Sequence, residues 1–358
     1  MSTHSKAAAA HAEIQRGTQL YRVAITGAST LKGKEVAEVL GDRGFPSLDV
    51  KLLDEDQALG QLESMGDEIG IIQSVRGEQF DKVDFTFFAS DQAGTRKMWK
   101  KVRDAGSAIV DLTYALENEP GAAVRSPWVE RFRGQTLAPE LQPGPAVVAH
   151  PAAIVLALLM LRAQKAGAIR HAVATVFEPA SEHGQKGMDE LHEQTVNLLS
   201  FQKLPKDVFD TQVAFNLVTR YGEQSTPPLA SVEQRVLKHY RQIAGAGAPL
   251  PSLLMVQAPI FHGHVFALHL EMTPAPDLET ITQALTGEHI NITHLAEDAP
   301  SNVNAAGQAD IQLSISADVS TPAGLWLWAA ADNLRVMAST AVECAETMTA
   351  TRPLGKIQ

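Results

Sequence analysis

VVAHPAAIVLALLMLR, residues 147–162, is the junction on which the chain turns. Val147 and Val148 read as the end of a buried strand, His150-Pro151 as a turn, and Ala152-Ala153 as the entry to an apolar helix. A strand that feeds a helix N-terminus gathers unpaired N–H groups and the positive end of the helix dipole. α/β enzymes often place a nucleophile or bind an anion there. Here neither Ala152 nor Ala153 can attack, donate or titrate. The run Ala152 to Leu161 is about half of what spans a bilayer, so it predicts a core helix and no membrane partner.

Upstream, YRVAITG (residues 21–27) is a β-rich run ending in glycine, and LKGKEVAEVLGDRG carries Leu31, Val36, Val39 and Leu40 at helical spacing. DVKLLDED reads as a second strand, followed by a strand near 69–74 and DFTFFAS. TRKMWKKVRDAG is a cationic amphipathic helix, and SAIVDLT the next strand. Strands alternating with helices predict a parallel, doubly wound, Rossmann-like sheet.

Downstream the pattern changes. AIRHAVATVFEP is a longer strand, GMDELHEQTVNLLSF and SVEQRVLKHYRQIAG are amphipathic helices, and LLMVQAPIFHGHVFALHLEM alternates as long antiparallel strands do. ADIQLSISADV is a further strand. GLWLWAAADNLRVMASTAVECAETMTA reads as one long helix, which packs best by returning to the first domain. His262 and His264, two apart on a predicted strand, should share a face. His183, His192 and His269 read as surface or packing residues.

A chain of 358 residues with 45% hydrophobic and 20% charged residues is globular and long enough for two domains. A net charge of −11 argues against a general nucleic-acid or anionic-membrane binder. The single cysteine, Cys344, excludes an internal disulfide framework, suits a reducing cytoplasmic setting, and reads as a buried structural thiol. Residues 1–20 contain no hydrophobic signal core and read as a flexible tail.

Six stretches in order resemble the aspartate-semialdehyde dehydrogenases: VAITGASTLKG, SAIVDLT, AHPAAIVLALL, HGQKGMDELHEQT, APIFHGHVFALHLE and WAAADNLRVMAS. The resemblance implies an α/β fold. A Rossmann-like NAD(P)-binding domain would span 21–150, and an α+β dimerisation and catalytic domain with a mixed or largely antiparallel sheet would span 151–324. A C-terminal helix over 325–358 would return to the first domain, and two copies would form a homodimer. The family, part of amino-acid biosynthesis, performs an NADP-dependent reductive dephosphorylation through a cysteine thiolate, with a histidine as acid/base.

Transferred residue by residue, the resemblance puts Ala153 at the nucleophile and His264 at the acid/base. Glu178 stands at an orienting glutamine, His262 at a carboxylate-binding arginine, Arg235 at a substrate-contacting lysine, and Glu117 at a phosphate-binding arginine. The glycine-rich turn becomes Gly27-Ala28-Ser29-Thr30-Leu31-Lys32-Gly33, where Thr30 puts a side chain near the pyrophosphate. Asp54, with Glu55 and Asp56 after it, would hydrogen-bond a ribose and favour NAD over NADP. An alternative is that Gly27 and Gly33 are only turn glycines.

The expectation is a pseudoenzyme with a binding, scaffold or regulatory role, whose ligand is a dinucleotide or a small acidic metabolite. The alternatives are different chemistry in the same cleft, using His264 with Glu178, or a metal held by His150, His262, His264 and Glu178. A surviving dehydrogenase activity with an unconventional nucleophile is the third.

Overall fold

The computed structural model describes residues 20–55, 58–65, 68–136, 143–293 and 299–351. The tail expected over residues 1–20 therefore lies outside the described residues except for Leu20, and so does Asp56.

Strand β1 (Tyr21–Thr26) is buried except at Arg22 and stops at Gly27, where φ is +74°. A Cβ on Gly27 would lie 2.4 Å from the Ser90 nitrogen, so both the conformation and the close approach demand glycine. The helix Leu31–Asp42 follows, with the Thr30 hydroxyl accepting from the Gly33 N–H at 3.0 Å as its N-cap. Strand β2 (Ser47–Asp54) comes next. Strands β3 (Leu62–Met65) and β4 (Glu68–Ile71) form a separate hairpin. Strands β5 (Gln73–Ser74), β6 (Phe85–Phe88), β7 (Ala108–Asp111), β8 (Ala123–Arg125) and β9 (Ala146–Val148) complete the first sheet. Its order is β5-β2-β1-β6-β7-β9-β8 and every pairing is parallel. This is the doubly wound sheet that the alternation predicts.

The second sheet is built from β10 (Ala168–Glu178), β11 (Ser252–Gln257), β12 (His264–Thr273), β13 (Ile290–Ile292), β14 (Ile311–Ala317) and β15 (Gly324–Ala331). Its order is β11-β10-β12-β15-β14-β13. Pairings of β10 with β12, β12 with β15 and β15 with β14 are antiparallel, whereas β10–β11 and β13–β14 are parallel, which makes the sheet mixed.

The helix Pro151–Ala163 is buried at every position but Leu161 and belongs to the core under this second sheet. Its entry from β9 therefore joins the two cores. The last helix, Asn333–Thr351, returns: Met337, Ala338, Ala341, Val342, Cys344 and Ala345 pack into the core of the first sheet.

Three sequence expectations change. Residues 324–331 are strand β15 and not the start of the last helix. Trp326 and Trp328 alternate outward while Leu325 and Leu327 are buried, a period of two that alanine richness had masked. β11 runs parallel to β10, so 253–272 is not one antiparallel hairpin. Finally, β12 begins at His264, and Gly263 at φ +83° breaks the alternation before it. His262 thus lies outside the strand, half-buried, and does not share a strand face with His264.

Candidate functional site

The site forms where the parallel strands of the first sheet end. The loop after β7, His150 after β9, and Lys32 in the first turn after β1 meet the end of β10, the 3-10 turn Ala180–His183, the start of β12 and Asn333. Crevices at the carboxyl ends of parallel strands are where open α/β sheets bind ligands.

The loop after β7 is ordered by Asp111. Its buried carboxylate accepts from the Thr113 N–H at 2.7 Å, the Thr113 hydroxyl at 2.6 Å and the Leu116 N–H at 2.9 Å. That folding holds Tyr114 at φ +63° and brings Glu117 to the helix Leu229–Ala244. Glu117 accepts from His239 Nε2 at 3.0 Å and Arg235 Nε at 3.3 Å, with Lys238 Nζ at 3.7 Å. Burial works against its ionisation, but the His239 hydrogen bond and the Arg235 and Lys238 charges hold its pKa down at about 2. His239 Nδ1 accepts from the His150 N–H at 2.9 Å, which makes Nε2 the protonated nitrogen that faces Glu117. Glu117 is thus an ion-pair hub that neutralises Arg235, whose guanidinium lies 5.0 Å from the Tyr114 ring centre.

His150 caps the helix Pro151–Ala163, its Nδ1 accepting from the Ala152 N–H at 3.2 Å. Its Nε2 lies 3.8 Å from Glu182, and its ring stacks on Tyr114 and tilts against His264. Burial pushes its pKa down to about 3, so it is neutral. His264 Nε2 lies 4.0 Å from Glu182, and burial lowers its pKa as well. Asn333 donates to Glu182 at 2.9 Å and is fixed by accepting from the Gly263 N–H and the Ser181 hydroxyl, each at 3.1 Å.

Glu178 lies behind this, 1% exposed, with His183 Nε2 at 3.8 Å. His183 donates to Tyr221, whose hydroxyl donates to Gln257 at 2.7 Å. Gln257 is oriented by its amide donating to the Glu178 and Ala258 carbonyls. The two carboxylates divide. Burial and the neighbouring Glu182 charge raise Glu178, which keeps its proton. Glu182, though burial opposes it, is held ionised by the Lys32 charge and the Asn333 hydrogen bond.

Among the described residues six buried side-chain polar atoms lack a hydrogen-bond partner. Five of them are here: the Tyr114 hydroxyl, both Glu178 oxygens and both His264 nitrogens. Each such atom costs about 1–3 kcal/mol when nothing bonds to it, so their convergence marks a place shaped for a polar ligand.

The structure therefore unites His150, His264, Glu178 and Arg235 around one site, but with different partners from those expected. His264 faces Glu182 and not Glu178, and His183 borders Glu178 although it read as a surface or packing residue. Among the described residues His262 makes no hydrogen bond or ion pair with the cluster, and no group of three His, Cys, Asp or Glu side chains is arranged to hold a metal ion. Tyr114, Glu182, His239, Tyr221 and Asn333 escaped sequence reasoning. A signal was present for Tyr114 and Glu182, each beside a stretch already singled out, and for His239 and Asn333, which lie inside SVEQRVLKHYRQIAG and WAAADNLRVMAS; Tyr221 had none. Ala153 is fully buried in the first turn of its helix. Cys344 lies in the other core, its thiol pushed up to about 12 by burial.

At the glycine turn, Asp54 Oδ2 accepts from both the N–H and hydroxyl of Ser29, at 2.8 and 2.6 Å, and Oδ1 from the Glu55 N–H at 2.8 Å. The Thr30 hydroxyl turns inward, donating to the Gly27 and Ala89 carbonyls. A Cβ on Gly33 would come within 2.1 Å of the Gly27 oxygen. The turn keeps its strand–glycine–helix form while its polar side chains bond to one another.

Residues 22–157 match the family described as semialdehyde dehydrogenase, NAD binding domain, and residues 158–336 match semialdehyde dehydrogenase, dimerisation domain. A USG-1 protein homolog of Azotobacter vinelandii is 31% identical over 91% of this chain and 97% of its own length. An aspartate-semialdehyde dehydrogenase of Rickettsia conorii is 26% identical over 89% of this chain and 94% of its own. The solved structure of a probable aspartate-semialdehyde dehydrogenase from Pseudomonas aeruginosa superposes with a TM-score of 0.81 at 26% identity, covering 92% of this chain and 99% of that one.

Proposed function

Because this chain belongs to the semialdehyde dehydrogenase family, we propose that it keeps the family's cleft as a binding site for a small polar ligand but does not perform phosphorylating dehydrogenation. The observation that carries this is Ala153, buried at the head of the Pro151–Ala163 helix where the family resemblance puts the cysteine. A methyl group cannot form an acyl-enzyme, and Cys344 sits in the other core with its proton retained. The ion pair to Glu117 supports the same reading, because it engages Arg235 with a carboxylate at the position where the family resemblance puts a phosphate-binding arginine. Purified protein should show no phosphate-dependent oxidation of aspartate semialdehyde. Turnover that survives Cys344→Ala would overturn the proposal.

A dinucleotide would be held by the Gly27–Gly33 turn and Asp54, and when bound it would supply a hydride acceptor or donor. The residues fit in outline, with glycines at both close approaches. Since Ser29 and Glu55 already occupy both Asp54 oxygens, a ribose hydroxyl competes with Ser29. NAD should bind weakly, and NADP more weakly still beside that carboxylate. Titration calorimetry with the two nucleotides tests the order. An equal or tighter NADP affinity would contradict it.

A homodimer is assigned to the open face of the second sheet, where Val173, Leu254, Trp326 and Trp328 are 40–50% exposed. Sedimentation should give a dimer that Val173→Glu with Trp326→Glu dissociates. Among the described residues no helix is long and apolar enough to cross a membrane.

A second reading, acid–base chemistry in the same cleft, is favoured by the protonated Glu178 beside neutral imidazoles. It predicts hydrogen–deuterium exchange at the α-carbon of small carbonyl compounds. Exchange unaltered by His264→Ala would dismiss it.

A further inference from the structure

Lys32 is a cation of this cleft with no carboxylate in direct contact among the described residues, Glu182 and Asp111 acting on it at longer range. It stands in the first turn of the Leu31–Asp42 helix, and its side chain reaches from the glycine turn across to the loop after β7. Its amine donates to the Leu112 carbonyl at 3.2 Å and lies 5.2 Å from the Tyr114 ring centre. Among the described residues it forms no ion pair within 4.0 Å. Arg235 lies over the same Tyr114 ring, so two cations share one aromatic group. The Tyr114 hydroxyl, buried and without a partner, belongs to the same group of residues, as do His150 stacked on that ring and the Glu182 carboxylate.

We propose that Lys32 is a nucleophile for small carbonyl compounds, binding an aldehyde or ketone reversibly as an imine in this cleft. The nitrogen lone pair adds to the carbonyl carbon, the C=O π pair moves to oxygen, and a proton shifts from nitrogen to that oxygen to give a carbinolamine. The nitrogen lone pair then expels the hydroxyl, which takes a proton from solvent and leaves as water. The resulting iminium returns that proton when it becomes the neutral imine. One carbonyl compound and one amine give one imine and one water, with no oxidant or reductant consumed.

The electrostatic setting suits this chemistry. Although the residue as a whole is half-buried, burial is the largest influence on the amine and lowers its pKa. Glu182 and Asp111 oppose that, and Arg235 adds to it. An amine that loses its proton more readily is the form that attacks. Glu182, ionised and nearby, steadies the iminium charge once formed.

This rests on the reading that the cleft takes a small ligand, but not on the loss of dehydrogenase activity, which the semialdehyde assay decides separately. The full chain is treated near pH 7 with propanal and cyanoborohydride at substoichiometric labelling, and propylated lysines are located by peptide mapping. Each unit by which burial lowers an amine's pKa raises its neutral fraction about tenfold at this pH. Lys32 should therefore be labelled measurably faster than the exposed Lys97 and Lys101. Its rate should level off below the 10.5 of an ordinary lysine amine, with Glu182, Asp111, Arg235 and Tyr114 the groups that face it. Labelling of Lys32 no faster than Lys97, or none at all, overturns the proposal. Because wild-type protein alone is compared within one sample, no misfolded variant can obscure the result.

Discussion

Replacing Glu178 by glutamine should stabilise the protein at neutral pH, and the pH dependence of that gain is the informative quantity. Glu178 is 1% exposed, both its oxygens lack partners, and burial with the Glu182 charge raises its pKa well above the ordinary 4.5. The native state then holds a proton that the unfolded chain has released above pH 4.5. For a group whose folded pKa is raised, stability is fully present below the unfolded value and declines as pH rises toward the folded one. One proton corresponds to about 1.4 kcal/mol per pH unit. Glutamine keeps the shape and cannot ionise, so the difference between Glu178→Gln and wild type should be near zero at pH 4. It should then grow by about 1.4 kcal/mol per unit above pH 4.5 and level off where the folded carboxyl itself ionises. Urea denaturation of both proteins at half-unit steps from pH 4 to 9 measures this slope. A difference that does not change with pH would mean that Glu178 is ionised in the native protein, and the division of roles between the two carboxylates would be wrong.

Other outcomes follow from the same geometry. Glu117→Ala should destabilise the protein by about 1–2 kcal/mol at pH 7. The shift from 4.5 to about 2 sets a ceiling near 3 kcal/mol, which partial solvent exposure reduces. Because that pKa is depressed, the loss is fully present above pH 4.5 and narrows as pH falls toward 2, which denaturation at pH 7 and pH 3 would reveal. Gly33→Ala forces a methyl to within 2.1 Å of the Gly27 oxygen and should cost about 3 kcal/mol or more, read as a lowered Tm. Ala153→Cys adds a sulfur at a fully buried position, costing about 1–3 kcal/mol, and should not restore semialdehyde oxidation in a coupled assay.

What could be read from the chain alone was whatever depends on residues close in sequence. The strand–glycine–helix of 21–42, the parallel first half and the apolar helix after Pro151 all follow from local periodicity and turn chemistry, as does the family membership carried by six ordered motifs. Where local composition misleads, the sequence misled: alanines made strand β15 read as helix, and Gly263 removed His262 from the strand that alternation had given it. The site's partners were decided by tertiary structure. Glu117 and His239 are 122 positions apart, Glu182 and Asn333 are 151 apart, and no spacing rule pairs them. Which of two buried carboxylates keeps its proton depends on dielectric and on charged and polar groups brought from distant segments, quantities that exist only once the two cores have closed on the helix between them.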